Sequence, residues 1–339
     1  MSLLSFKSLL YGKQSMNILV TGGLGVNGSW VTKKLADRGF TPVVIDARAD
    51  FSLIGPDYEK RIVFVQGSVS DEDLVARTIK QHGVSCIVHL AAMVGHPDDP
   101  VGVFRVNAYA TVQLLEAARK AGIRRFVFTS SRAVYGALEG DAAHPVYKPV
   151  KEDHPLRPVH VYDVCKVSSE GMGRCYADQF GMEFVALRFA TIFGPGKTVR
   201  HKKFAILSRI IEAPLHGEPV RIARGGDQRD DVIYADDVAE AVVTAALHSK
   251  PRYTEYNISH SRGTTLHDLA AAVRKHVPGA DIEIAPGLDY IDSGVNYAGV
   301  LDNSRAKEDL GFVPRFNLDS AVGDYIEKMK LLGLPPYNR

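Results

Sequence analysis

Short apolar runs alternate with amphipathic stretches along most of the chain, and the first run sets the pattern. NILVTGGLGVNG (Asn17 to Gly28) breaks from an apolar strand into glycines, and a helical spacing follows at once. Apolar runs at Pro42 to Ile45, Ile62 to Gln66, Cys86 to Leu90, Arg125 to Thr129 and Phe184 to Phe189 predict further strands. Between them, Asp71 to Gln81, Val101 to Lys120 and Tyr162 to Phe180 carry helical patterns. Such alternation implies right-handed crossovers and an α/β fold with a doubly wound parallel sheet, whose ligand lies at the carboxyl ends of the strands.

The period loosens at Gly194-Pro195-Gly196, where a smaller substrate-binding lobe is expected to begin. Residues 16–189 then form a Rossmann-type nucleotide-binding domain, and 190–231 with 260–339 form the lobe. Segment 232–259 returns to the first domain: a strand at Asp231 to Ala235, a helix at Asp236 to Ser249 capped by Asp236 or Asp237, and a strand at Tyr256 to Ser259. Helical patterns at Leu266 to His276 and Leu318 to Leu332 complete the lobe, and Gly136 to Val161 reads as a loop over the site. Residues 1–15 precede the pattern and are read as an N-terminal extension.

Composition narrows the classes. A chain of 339 residues, 45% hydrophobic, can bury a substantial core, and a net charge of +2 implies no broad basic surface for nucleic acid. Cys86, Cys165 and Cys175 form no C-x-x-C pair, which suits a reducing cytoplasm and argues against structural zinc. No apolar run approaches the ~20 residues of a membrane span. His144, His154 and His160 match no metal-ligand spacing, so no metal is expected.

Candidate chemistry begins at the glycines. Gly22 and Gly25 permit a tight turn and close approach of a pyrophosphate, Gly28 lets the helix pack on the strand, and Val26 and Asn27 open that helix. Asp46 closes the second strand about 20 residues on, where a carboxylate accepts from an adenosine ribose; this favours NAD over NADP. Ser68, Val69, Leu90, Ala91 and Ala92 sit at later strand ends, where small side chains let a flat cofactor lie close. Tyr162 and Lys166 stand four apart on one helix face. The ammonium should favour the phenolate and lower its pKa from ~10 towards neutrality, so that Tyr162 can accept a hydroxyl proton. Ser131, at a strand end, can hydrogen-bond the same substrate oxygen.

The chain resembles the extended short-chain dehydrogenase/reductases, the NAD-dependent epimerase/dehydratase family. The resemblance rests on TGGLGVNG (Thr21 to Gly28), Asp46, HLAA (His89 to Ala92), Asn107, FTSSRAVYG (Phe128 to Gly136), YDVCK (Tyr162 to Lys166), LRFATIFGPG (Leu187 to Gly196) and IYADDVAEAV from Ile233. It implies Ser131, Tyr162 and Lys166 as catalytic residues, with Lys166 also holding the nicotinamide ribose and Asn107 near the active site. It also implies a homodimer joined through the helices at Val101 to Lys120 and Tyr162 to Phe180.

Departures from the family bear on the substrate. Where its 4,6-dehydratases place an Asp-Glu pair to eliminate water, this chain has Arg132 and Ala133, so dehydration by that route is not expected. Ser68 replaces an aspartate that contacts adenine in many relatives. The R-(Y/F)-x-N pattern reads Arg188-Phe189-Ala190-Thr191, and the R-D-(F/Y) element reads Arg229-Asp230-Asp231, with the arginine one residue early. Thr191, Arg229 and Lys197, the first of a basic run with Arg200, His201, Lys202 and Lys203, are the candidate substrate contacts; the run could grip a phosphate or carboxylate. Cys165 and Trp30 read as packing. The leading expectation is an NAD-dependent epimerase of a sugar nucleotide, with a dehydrogenase of a sugar acid or other small hydroxy compound as the alternative. A non-catalytic NAD-binding regulator would be expected to lack the tyrosine or lysine.

Overall fold

The computed structural model describes residues 16–94, 98–201 and 205–334. Segment 1–15 lies outside them, as do Lys202 and Lys203 of the basic run. Seven parallel strands form the main sheet in the order β10-β6-β5-β4-β1-β2-β3: β1 is Ile18–Thr21, β2 Val43–Asp46, β3 Val63–Gln66, β4 Cys86–His89, β5 Arg125–Ser131, β6 Glu183–Phe189 and β10 Glu255–Ile258. The edge strand β10 is the one expected at Tyr256 to Ser259.

The strands read as continuous apolar runs because both sheet faces are covered. Side chains alternate between two cores. Ile18, Val20, Val44, Val88 and Val127 pack on one face, against Val31 and Leu35 of α1 (Val26–Asp37) and Val238 and Val242 of α7 (Ala235–Leu247). Leu19, Ile45, Ile87, Phe126 and Phe128 pack on the other face, against Val75 of α2 (Glu72–Gln81) and Leu114 and Leu115 of α3 (residues 100–120). Trp30 is buried against Tyr234, ring centroids 5.8 Å apart, and Cys165 is fully buried.

Two helices differ from the sequence pattern in instructive ways. The run expected at Val101 to Lys120 is interrupted by a π turn at Arg105–Tyr109. The carbonyl of Asn107, within that turn, accepts from the hydroxyls of Ser169 and Thr111, each at 3.0 Å. Helix α7 starts one residue early and neither aspartate caps it. Asp237 instead accepts from the backbone N–H groups of Arg315 and Phe316, and Asp236 pairs with Lys34 and Arg315, so tertiary partners take the carboxylates that local pattern assigned to the cap.

The smaller lobe is built on two short sheets. One runs β11 (Gly263–Thr264), β9 (Asp230–Tyr234), β7 (Thr191–Phe193), so the strand expected at Asp231 to Ala235 in the returning segment pairs here and not in the main sheet; the other pairs β8 (Val220–Ile222) with β12 (Ile282–Ile284). Helices α8 (Leu266–His276) and α9 (Leu318–Leu332) match their expected bounds. Beneath the site, Arg188 of β6 binds Glu170 of α4 (Val161–Phe180) through two nitrogens: Nη2 to Oε2 at 2.7 Å and Nε to Oε1 at 3.0 Å. Ser130 of β5 donates to the same carboxylate at 2.5 Å, and Arg188 also donates to Tyr135 and the Glu152 carbonyl. Replacing Glu170 by Ala strands a buried guanidinium, and the expected loss is about 3–5 kcal/mol of unfolding free energy in urea titrations.

Candidate active site

The strand order reverses beside β1, where the chain leaves β3 and crosses to β4 on the far side of the sheet. At this switch point the carboxyl ends of β1 to β6 open into a cleft of about 690 Å³ closed by the smaller lobe. Its cofactor half is lined by Gly22, Gly25, Val26, Asn27, Gly28, Asp46, Ser68 and Val69, with Leu90, Ala91 and Ala92 as its floor.

Backbone geometry explains the glycines. Gly22 has φ +68°, and a Cβ there would lie 2.8 Å from the Ala91 backbone; a Cβ on Gly28 would collide with the Gly22 carbonyl. Helix α1 begins at Gly25 with no side-chain cap, which leaves its first N–H groups for a ligand. Asn27 Oδ1 is buried without a partner at the same turn. Asp46 is held at the lip, Oδ2 accepting from Leu24 N at 3.1 Å and Oδ1 from Arg48 N at 3.2 Å. A glycine cradle, an uncapped helix start and an orphan amide oxygen fit a dinucleotide.

Ser131, Tyr162 and Lys166 converge in the other half. Ser131 lies with the Tyr162 phenol in the cleft lining, and its hydroxyl oxygen accepts from Ala133 N at 3.1 Å. Lys166 Nζ donates to the Thr129 carbonyl at 2.6 Å and lies 5.5 Å from the Tyr162 ring centroid. Helix α4 delivers both residues: Asp163 accepts from the N–H groups of Val159 and His160 at its start, and Gly181 in the left-handed region ends it.

The protein surroundings of Tyr162 act against the expected near-neutral phenol. Burial pushes the Tyr162 phenol well above its ordinary range, with the Asp163 carboxylate adding to the rise, and Ser131 offsets only part of it. Burial also holds Lys166 down to about 8, against the pull of the Glu170 carboxylate. The Lys166 ammonium faces the Tyr162 ring while it donates to the Thr129 carbonyl.

Thr191 and Lys197 line the cleft, as do Arg200 and His201, the other described residues of the basic run. Lys197 Nζ donates to the Ile192 carbonyl at 2.7 Å, and burial lowers its pKa to about 7. Arg200 is locked over the glycine turn, donating to the Leu24 carbonyl at 2.7 Å and pairing with Asp50 at 2.6 Å. Arg229 lies outside the cleft, in a separate depression with Tyr147, Arg262 and Asp268. Alternation along β9 is the reason: Asp230 faces the cleft, Asp231 turns away to accept from His260 N and Leu301 N, and Arg229 shares the parity of Asp231. Asn107 also lies behind the wall, clamping Met93 through its backbone N–H at 2.7 Å and carbonyl at 2.9 Å, a positioning contact rather than a cofactor contact.

Sequence reasoning missed the far wall. Asp230 pairs there with Arg132, and its Oδ2 accepts from Thr191 and Tyr290, each at 2.8 Å. Tyr297, also in the wall, donates to Asp163 at 2.6 Å. The adjacency of Arg132 to Ser131 was the one available signal.

Fold and site together define a dinucleotide-dependent enzyme with a serine, a tyrosine and a lysine gathered in one cleft beside the glycine turn. The profile of the NAD dependent epimerase/dehydratase family matches residues 18–259; the chain belongs to that family and its cofactor is NAD. It is 30% identical over 320 residues to the UDP-glucose 4-epimerase of Mycolicibacterium smegmatis, covering 92% of this chain and 98% of that one. Among solved structures it is similar to the UDP-glucose 4-epimerase of Thermus thermophilus in complex with NAD (26% identity, TM-score 0.79, 93% and 99% of the two chains). It is also similar to MoeE5 in complex with UDP-glucuronic acid and NAD (28% identity, TM-score 0.76, 93% and 99%). No helix among the described residues is long and apolar enough to cross a membrane.

Two outcomes are expected. Gly28→Ala should weaken NAD binding by more than about tenfold, ~1.4 kcal/mol, as read by calorimetry with circular dichroism to confirm the fold. In Lys166→Met, loss of the cation disfavours the phenolate, so the rise of kcat/KM with pH should move to higher pH.

Proposed function

We propose that the enzyme is an epimerase that oxidises a secondary hydroxyl of a sugar nucleotide to a transient ketone and restores the alcohol with inverted configuration. The observation that carries the reading is the convergence of Ser131, Tyr162 and Lys166 against the glycine cradle in one cleft. Gly22, Gly25 and Gly28 with the start of α1 would hold the pyrophosphate, Asp46 the adenosine ribose and Lys166 the nicotinamide ribose. Ser68 and Val69 would border the adenine. Bound NAD supplies a hydride acceptor and a fixed positive charge.

The chain's own residues handle the proton. Ser131 donates to the substrate oxygen, Tyr162 takes the hydroxyl proton as the carbon is oxidised, and the Lys166 cation favours the phenolate that does so. Return of the proton from Tyr162 accompanies reduction on the other face, so the cofactor ends as it began. The 30% identity to a UDP-glucose 4-epimerase over nearly the whole chain supports this outcome. Arg132 and Ala133 supply no acid–base pair for loss of water.

A second reading, net dehydrogenation of a sugar acid or other small hydroxy compound, is favoured by one observation. The element expected to grip substrate phosphates turns Arg229 out of the cleft and presents Asp230 instead. We further propose a homodimer through α3 and α4, whose exposed Val101, Phe104, Tyr109, Val164 and Phe180 leave apolar surface there.

Tyr162→Phe should lower kcat by about 10²–10⁴-fold while NAD affinity is kept. Unchanged turnover would sink the mechanism. Incubation of the wild type with NAD and nucleotide sugars, read by absorbance at the NADH band and by chromatography, should give a new epimer without NADH; accumulating NADH would establish the dehydrogenase reading instead.

A further inference from the structure

We infer that Arg132 sets substrate specificity by binding a carboxylate, so that the substrate is a hydroxy acid: a uronic acid, either nucleotide-linked or free. The inference rests on the proposed catalytic reading, because it places the acid group beside the hydroxyl handled by Ser131 and Tyr162.

Arg132 follows Ser131 directly and opens the 3₁₀ turn Arg132–Tyr135, with its side chain on the cleft wall and 12% exposed. Asp230 is the hydrogen-bond acceptor it meets among the described residues, and it does so through Nη1 alone. Its Nε and Nη2 carry N–H groups that no acceptor in the described protein takes, and neither atom is among those sealed from solvent without a partner. Asp230 does not need more from the arginine: Arg132 satisfies Oδ1, while Thr191 and Tyr290 satisfy Oδ2. The carboxylate therefore fixes the guanidinium in place and leaves one edge of it open to the cleft.

An open guanidinium edge presents parallel N–H donors matched to a carboxylate. Neighbouring groups are engaged elsewhere: Lys197 donates to the Ile192 carbonyl, and Arg200 to the Leu24 carbonyl and Asp50. The Tyr290 and Tyr297 hydroxyls are donated to Asp230 and Asp163, and Arg229 points out of the cleft. A substrate bearing a neutral group at this point would close the cleft over unpaired N–H donors, which is the situation that gives polar sites their strongest discrimination.

The test uses the NAD-loaded full chain and four probes: UDP-glucuronic acid, UDP-glucose, glucuronic acid and glucose. Calorimetric binding and turnover are both measured. Each acid should bind tighter than its neutral counterpart by roughly ten- to hundredfold. The pair showing the larger preference distinguishes the nucleotide-linked source from the free one. In Arg132→Gln that preference should disappear, acid and neutral probes binding alike, with NAD binding in the other half of the cleft retained as the check on the fold. Arg132→Lys keeps a counter-charge for Asp230 but not the planar fork, and should recover only part of the preference. Equal binding of acid and neutral probes to the wild type, or parallel loss of both in the variants, overturns the inference. Binding reads Arg132 whether or not a probe turns over, so failure of the catalytic reading shows separately, as Tyr162→Phe turning over at the wild-type rate.

Discussion

The contact on which the site depends is the buried pairing of Arg188 with Glu170. Its two nitrogens fix the carboxylate of α4 against β6, Ser130 ties the same carboxylate to β5, and Tyr135 carries the network on to Asn257 of β10. Ser131 is the next residue of β5, and Lys166 lies one helical turn before Glu170. The strand bearing the serine and the helix bearing the tyrosine and lysine are thus held together by one charged joint. Such a joint is a costly way to stabilise a core, since both ions lose their water, but its directional bonds define a register that apolar packing alone would leave looser.

Around that joint the two halves of the cleft follow opposite rules. In the cofactor half the protein withdraws side chains: glycines, alanines and an uncapped helix leave backbone N–H groups and space. In the substrate half it crowds polar side chains together, several of them bonded to one another. Asp230 alone gathers Arg132, Thr191 and Tyr290. A cradle of backbone suits a cofactor recognised by shape and phosphate charge. A wall of mutually fixed side chains suits discrimination between similar small molecules, because a misfitting substrate leaves buried groups unpaired.

Desolvation dominates the electrostatics of this wall. Burial raises the Tyr162 phenol and lowers the Lys166 and Lys197 ammonium groups, although a tyrosine beside a lysine was expected to move the other way. The expectation considered the attraction between two neighbours in sequence and omitted the low-dielectric surroundings in which both are held.

Much of this protein is legible in its sequence for a physical reason: strand runs, helical spacing, glycine turns and the four-residue step from Tyr162 to Lys166 are local consequences of backbone geometry. The parallel sheet, the bounds of α8 and α9, the glycine cradle and the convergence of Ser131 with Tyr162 and Lys166 were all foreshadowed in this way. Tertiary structure decided what depends on direction and on partners far along the chain. One residue of strand parity turned Arg229 out and Asp230 in; Arg132 and the carboxylate that holds it stand 98 positions apart. Asn107 became a clamp on Met93, and Asp236 and Asp237 left the helix cap for partners near residue 315. Side chains such as these satisfy their charges and hydrogen bonds wherever folding brings a partner, and sequence spacing does not encode that.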